Sequence, residues 1–353
     1  MFNKILINKQ NLINNIKQVK LKNPNSLICA MVKANAYGIG DEIVVNILND
    51  YVDYFGVACF FEAKKIASCT NKNILIAGPL DYKNIDARFI YSCHCVEDVK
   101  FLASLSLKIK IHLKVNTGMN RFGFSSLKEF GKALKIIKHS NLILDGVLTH
   151  FATCDSFVKT QFEIFCKFRK LCLKQGFKPI FHSDNSAVNN WYNHNLDMVR
   201  IGYNLFCNNI LGFKPVVELE SKIVQINKVK TSALVGYNRV CVAKQPMKVA
   251  VIPLGYADGF STKYAGLMLN INNKQCKVLN VCMDCFMLDV TSCALKKGCN
   301  IKIINNYNPL KLFADYAKFN EYEVMCNFSN ARADRLISAS SCCENEKHNT
   351  QKR

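Results

Sequence analysis

The sequence predicts an α/β protein. A (β/α)8 TIM-type barrel is expected over residues 1–217, a smaller β-rich domain over 218–337, and a polar, disordered tail over 338–353. Three observations carry this. Short apolar runs alternate with stretches of helical spacing through about two hundred residues, the rhythm of parallel strands joined by right-handed crossovers. From about Glu218 the rhythm stops, and strand-like runs follow one another without helices. Five of the early apolar runs end in unusual polar residues, and a barrel of this kind keeps its chemistry at the carboxyl ends of its strands.

Ile5-Leu6-Ile7 reads as a short strand, and Gln10 to Lys22 carries Leu12, Ile13 and Ile16 at helical spacing. Ser26-Leu27-Ile28-Cys29-Ala30 is a buried strand followed by Lys33, Gly38 and Gly40, and Ile43 to Leu48 fits a helix. Tyr54 to Ala58 is a strand, Glu62 to Ser68 a helix, and Asn73 to Ala77 a strand stopped by Gly78-Pro79. Phe89-Ile90-Tyr91, the alternating run Lys108 to Val115, Leu142 to His150, Pro179 to His182 and Met198 to Arg200 complete the series of strands. Helices over Val96–Leu105, Leu127–Ile137 and Val158–Gln175 separate them. In the later part, strand-like runs lie at Lys222–Ile226, Arg239–Val242, Val249–Ile252, Cys276–Leu279 and Phe286–Val290.

Composition narrows the function classes. The formal net charge is +21, from 47 Lys+Arg against 26 Asp+Glu. The lysines are scattered, without the aromatic-basic interleaving of a nucleic-acid module, so no nucleic-acid partner is expected. The 18 cysteines are irregularly spaced. Cys282 and Cys285 form a single C-x2-C with no second pair at zinc-ribbon distance, so no metal is expected and the thiols read as reduced. Met1-Phe2-Asn3-Lys4 leads into a strand pattern rather than a signal-peptide core, and no apolar run reaches membrane-spanning length. A cytoplasmic protein without a membrane partner is expected.

The residues that close the early strands form one constellation. Lys33 opens Lys-Ala-Asn-Ala-Tyr-Gly, and a desolvated lysine can form a Schiff base with a carbonyl. Lys114 precedes Asn116-Thr117-Gly118-Met119-Asn120-Arg121. His150, His182-Ser183-Asp184-Asn185-Ser186 and Arg200-Ile201-Gly202-Tyr203 end three more strands. In the β-rich part stand Gly255-Tyr256-Ala257-Asp258-Gly259, Cys282-Met283-Asp284 and Glu321-Tyr322-Glu323-Val324. On local sequence alone Tyr256 reads as a turn tyrosine and His150 as a satisfied core histidine.

Together, and in order, these strings resemble the alanine racemase family of pyridoxal-phosphate-dependent, fold type III enzymes, from about Ile5 to Arg335. The resemblance implies interconversion of L- and D-alanine in a homodimer, supplying D-alanine for peptidoglycan. The same chemistry on serine or on a broad range of amino acids is the alternative; a non-catalytic pyridoxal-phosphate carrier is disfavoured because such single-barrel proteins lack the β domain. By resemblance, Lys33 carries the cofactor and acts as one base, with Tyr256, supplied by the partner subunit, as the other. Tyr37, Ser186, Gly202, Tyr203 and Tyr322 hold the phosphate, Arg200 faces the pyridine nitrogen, and His150 and Asn185 orient the ring. Arg121 and the Met283 backbone bind the substrate carboxylate, and Lys114 matches a lysine carbamylated in many members. The chain departs from the family pattern at Ile39, Asn116, Ile201 and Ala333-Asp334, and the loss of an acid at Asn116 leaves Lys114 in want of a counter-charge.

Overall fold

The computed structural model describes residues 1–206, 212–237 and 241–338. The proposed tail beyond Ser338, and Arg239 and Val240 of the expected strand, lie outside them. Two compact units are formed, Asn15–Phe213 and a second made of Met1–Asn14 with the chain from Lys214 onward.

The chain opens with β1 (Asn3–Asn8) and α1 (Lys9–Lys22). The first unit then holds eight parallel strands: β2 (Leu27–Met31), β3 (Tyr54–Val57), β4 (Asn73–Ile76), β5 (Ile90–Cys93), β6 (Lys110–Lys114), β7 (Ile143–Leu148), β8 (Ile180–His182) and β9 (Met198–Ile201). Their order is β8-β7-β6-β5-β4-β3-β2-β9, a nearly closed barrel. Across the remaining gap the Arg200 N–H donates to the Asp184 carbonyl at 3.0 Å. Strands such as β3, β5 and β9 are buried at every residue, as strands covered on both faces must be. The connecting helices are α2 (Lys33–Tyr37), α3 (Asp41–Leu48), α4 (Phe60–Ile66), α5 (Val96–Ser104), α6 (Leu127–Lys138), α7 (Phe157–Lys174), α8 (Ser186–Trp191) and α9 (Tyr203–Phe206). In α6 the Ser126 hydroxyl caps the Lys128 N–H at 3.2 Å, and Phe130, Ala133, Leu134 and Ile137 form the buried stripe.

The second unit carries the remaining strands: β10 (Val217–Lys222), β11 (Gln225–Val229), β12 (Leu234–Val235), β13 (Cys241–Val242), β14 (Met247–Ile252), β15 (Met268–Ile271), β16 (Lys274–Val281), β17 (Phe286–Asp289), β18 (Asn300–Ile304) and β19 (Ala333–Ser338). One sheet runs β18-β10-β1-β19 and another β11-β14-β17-β16-β15. The sequence predicts a barrel from residue 1, but β1 pairs antiparallel with β10 and parallel with β19. Its alternating burial, with Asn3, Ile5 and Ile7 inside, is that of a sheet covered on one face. Two helices, α10 (Leu310–Ala317) and α11 (Glu321–Asn327), follow β18 where the sequence pattern suggested strands alone. Among the described residues no helix is long and apolar enough to cross a membrane.

Ile7 is fully buried in an inner strand of that four-stranded sheet. Ile7→Ala should cost about 2–5 kcal/mol, read as a lower urea midpoint for the second unit. An unchanged midpoint would contradict the placement of β1.

Candidate active site

The buried run of β2 ends at Val32, and Lys33 opens a turn of the wrong hand. Ala34, Asn35, Ala36 and Tyr37 have φ of 53°, 56°, 49° and 57°, and Gly38 at 92° closes it. Left-handed helical backbone costs an L-residue roughly 1–2 kcal/mol, so a run of four persists only if its surroundings enforce it. They do. The Glu62 carboxylate takes the Ala34 N–H at 2.7 Å and the Ala58 N–H at 2.6 Å. Within the turn, Gly38 N–H reaches the Ala34 carbonyl at 2.9 Å and Gly40 N–H the Asn35 carbonyl at 2.9 Å. The sequence indicated a glycine turn but not its hand, because Ala34 and Ala36 carry no left-handed preference. Lys33 itself is exposed, whereas its strand-end position had suggested a desolvated amine.

This turn carries Tyr37 onto the last strand end. Its ring packs 5.4 Å from Phe206, and a Cβ on Gly202 would collide with its hydroxyl oxygen. The buried Ser186 hydroxyl accepts from Gly202 N–H at 3.1 Å and Asn204 N–H at 3.4 Å. Tyr37, Ser186 and Gly202 thus form a small cradle rich in donors. Asn185 caps α8 through the Val188 N–H at 3.0 Å, and its amide nitrogen lies 3.4 Å from His150 Nε2.

Arg200 is buried and held by three acceptors. Nη1 donates to His182 Nδ1 at 2.7 Å, and Nη2 to the Thr149 carbonyl at 2.6 Å and the Ser183 carbonyl at 3.1 Å. Burial pulls its pKa down to about 10, which leaves it a cation at neutral pH. Burial lowers Lys114 to about 8, helped by Arg121, Arg200 and Lys33. Burial and these same cations, with Lys114 itself, push His150 down to about 3. Lys33, Lys114, Arg121, Arg200 and His150 therefore belong to one electrostatic cluster, in which the charges acting on Lys114 and His150 are all cations. Lys114, Asn116, Thr117, Arg121, Phe122 and His150 line a small cleft. The Lys114 ammonium sits 5.3 Å over the Phe122 ring, which stacks on His94 at 4.9 Å. In the sequence His94 stands out only through its flanking Cys93 and Cys95, a weak metal signal and not a pointer to this cleft. Asn116 supplies no charge: its side chain shapes the loop through Asn120 and Ser125, each at 2.9 Å.

In the second unit, Tyr256 and Met283 share one backbone clasp. Tyr256 N–H donates to the Cys282 carbonyl at 3.0 Å, and Ala257 N–H to the Met283 carbonyl at 3.1 Å. Buried Asp258 takes Gly255 N–H at 3.0 Å and the Arg332 guanidinium at 2.7 and 2.8 Å. A Cβ on Gly255 would strike the Met283 carbonyl, which explains glycine there. The side chains of Tyr256, Met283 and Tyr322 are exposed. The Asp258–Arg332 pair that locks the turn was not apparent from sequence, being 74 residues apart.

Comparison with protein families decides what this arrangement belongs to. The family model "Alanine racemase, N-terminal domain" matches residues 7–209, and "Alanine racemase, C-terminal domain" matches 216–337. The chain belongs to the alanine racemase family. An alanine racemase of Borreliella burgdorferi (strain ZS7) is 30% identical over 356 residues, covering 92% of this chain and 94% of that one. The structure of alanine racemase from Bacillus anthracis with bound L-Ala-P has a TM-score of 0.87 and 25% identity, covering 93% of each chain. That from Bartonella henselae with covalently bound pyridoxal phosphate has a TM-score of 0.85 at 21% identity, covering 96% of this chain and 99% of that one, a likeness of fold. The chain is accordingly an isomerase, an amino-acid racemase.

Alanine racemases depend on pyridoxal phosphate, and the residues here fit that group. The cradle closed to a Cβ at Gly202 brings the Tyr37 and Ser186 hydroxyls to the last strand end, where a phosphate could accept from them, and no carboxylate is among the charges acting on Lys114 and His150.

The depressed histidines predict acid sensitivity. His94 is lowered to about 4 by burial and Lys114, and His150 to about 3. Unfolded, both take protons below about 6.5, so the unfolded state binds more protons and stability falls as pH drops through that value towards 4. Urea midpoints between pH 7 and 4.5 should decline; a flat profile would contradict neutral burial of these rings.

Proposed function

We propose that this chain interconverts L- and D-alanine with pyridoxal phosphate attached to Lys33, Lys33 and Tyr256 serving as bases on opposite faces of the substrate Cα. The observation that carries the reading is the cationic cluster at the barrel strand ends, where Lys33, Arg121 and Arg200 act on Lys114 and His150, together with the Tyr37–Ser186–Gly202 cradle. Bound there, the cofactor supplies an electron sink for negative charge at Cα. Tyr37, Ser186, Gly202, Tyr203 and Tyr322 would hold its phosphate, and His150 and Asn185 would pack against its ring.

The chain's own groups do the rest. One base removes the Cα proton and the other delivers one to the opposite face; their roles exchange in the reverse direction. Arg121 holds the substrate carboxylate, with the Met283 backbone beside it. Arg200 offers only N–H donors, so it would leave the cofactor's ring nitrogen an acceptor, which would restrain side reactions and keep the chemistry to proton exchange. Tyr256 is contributed by the partner in a homodimer, and the enzyme works in the cytoplasm, supplying D-alanine for peptidoglycan.

Purified protein should absorb in the visible and convert L-alanine to the D-form. Lys33→Ala should abolish both, and Tyr256→Phe should keep the absorbance while losing about 10²–10⁴ in turnover. Racemisation that survives Tyr256→Phe would overturn the two-base assignment.

Lys114 is proposed as a carbamate, which would provide the anion its surroundings lack. Only the neutral amine reacts with carbon dioxide, so occupancy should rise with pH through about 8. A carbamate signal in the 13C spectrum with labelled bicarbonate, absent from Lys114→Ala, is the expected result; no signal at any pH would refute it.

A further inference from the structure

Behind Arg200 a chain of hydrogen bonds runs through the barrel interior. Arg200 Nη1 lies 2.7 Å from His182 Nδ1, His182 Nε2 lies 2.9 Å from His112 Nδ1, and His112 Nε2 lies 3.1 Å from Asp145 Oδ2. Both rings are fully buried. A guanidinium can only donate and a carboxylate only accept, so the protons between them have one assignment. His182 accepts at Nδ1 and donates from Nε2–H, and His112 does the same. Any other pair of neutral tautomers sets donor against donor or acceptor against acceptor.

Asp145 anchors the accepting end. Lys110 Nζ stands 3.2 Å from its Oδ1, and the Tyr54 hydroxyl donates to Oδ2 at 3.2 Å. Burial raises its pKa, but His112 and Lys110 outweigh that and hold it at about 2. Burial also lowers His112, and His182 well below the usual histidine range, so both rings are neutral. The backbone makes room for this path. The β6–β7 register shifts between Ile111 and His112, setting His112 opposite Gly146, where a Cβ would lie 2.6 Å from the ring. Only glycine leaves that space.

We infer that Asp145 is a positioning residue for racemisation: it fixes the tautomers of His112 and His182 and, through them, the place of the Arg200 guanidinium. The inference rests on the reading of Arg200 as the partner of the cofactor's ring nitrogen. Without the carboxylate, His112 has no reason to keep its proton on Nε2. Once the rings flip, His182 presents an N–H to Arg200, which then loses one of its three acceptors.

The test uses 15N-histidine spectra of the holoenzyme, its visible absorption, and steady-state kinetics. In the wild type both rings should be neutral with the proton on Nε2; a proton on Nδ1, or a charged ring, overturns the inference whatever the variants do. Asp145→Leu should lose that tautomer signature, shift the visible band, and lower kcat by about 10–100-fold, the usual scale for a supporting shell. KM for alanine should hold, since Arg121 is untouched. Asp145→Asn retains an accepting oxygen and should retain the tautomers, with a smaller loss. Tyr54→Phe removes a bond to the same carboxylate outside the chain, and should change stability but neither tautomers nor kcat. Unchanged tautomers and turnover in Asp145→Leu, with a yellow and active wild type, would refute the role of Asp145 alone. A wild type that neither binds cofactor nor racemises would instead refute the reading of the site.

Discussion

A guanidinium inside a barrel is the constraint on which the rest depends. Taking Arg200 out of water costs several kcal/mol unless its donors are met, and an unmet buried charge is among the most destabilising defects a fold can carry. The acceptors come from the ends of β7 and β8, through Thr149, His182 and Ser183. The Arg200 N–H also spans the gap between β8 and β9. Slippage of any of these strands would strand the charge. On the other side, Arg200 pairs in register with Cys29 of β2, which sets Lys33 just beyond the neighbouring strand end. One buried cation thus ties three strand ends together and places the lysine beside them.

The charges acting on Lys114 and His150 are unbalanced in one direction. Lys114 and His150 are each shifted toward neutrality by burial and by Arg200, Arg121 and Lys33. Asn116, which could have brought a compensating carboxylate, spends its side chain on Asn120 and Ser125. Such a cluster is costly when empty and favours anions: a phosphate, a substrate carboxylate, a carbamate. The strain of the left-handed turn belongs to the same account, because Glu62 and the bonds within the turn sustain it and it brings Lys33 and Tyr37 to this rim.

Much of this was legible in the sequence, and the rest was hidden for definite reasons. Strand and helix positions followed from apolar period: α6 buries the residues its spacing selects, and β6 buries its alternating apolar residues together with His112 and Lys114 between them. The rim residues stood out because lysine, arginine and histidine seldom close buried strands. The hand of the Lys33 turn was not legible, because it is imposed by Glu62 from another element. The pairing of β1 depends on strands more than two hundred residues away, and its three apolar residues fit either unit. His112 and Asp145 looked like ordinary strand residues; only the β6–β7 bulge and the vacancy at Gly146 bring them into line. The Asp258–Arg332 lock is long-range in the same sense.

The composition of the barrel interior argues for selection on proton placement as well as packing. Replacing a buried polar network by apolar side chains of equal volume is often neutral or stabilising, so stability alone does not account for Arg200, His182, His112 and Asp145 in a row. Their hydrogen-bond arithmetic does. Of the five guanidinium N–H donors, three are taken by His182, Thr149 and Ser183, which leaves Nε–H and one Nη1–H. Those two keep a fixed direction only while His182 remains an acceptor, and it remains one only while the protons of both rings point towards Asp145. On the proposed reading, a partly buried carboxylate on β7 thereby holds the Arg200 guanidinium in place from the other end of the hydrogen-bond chain.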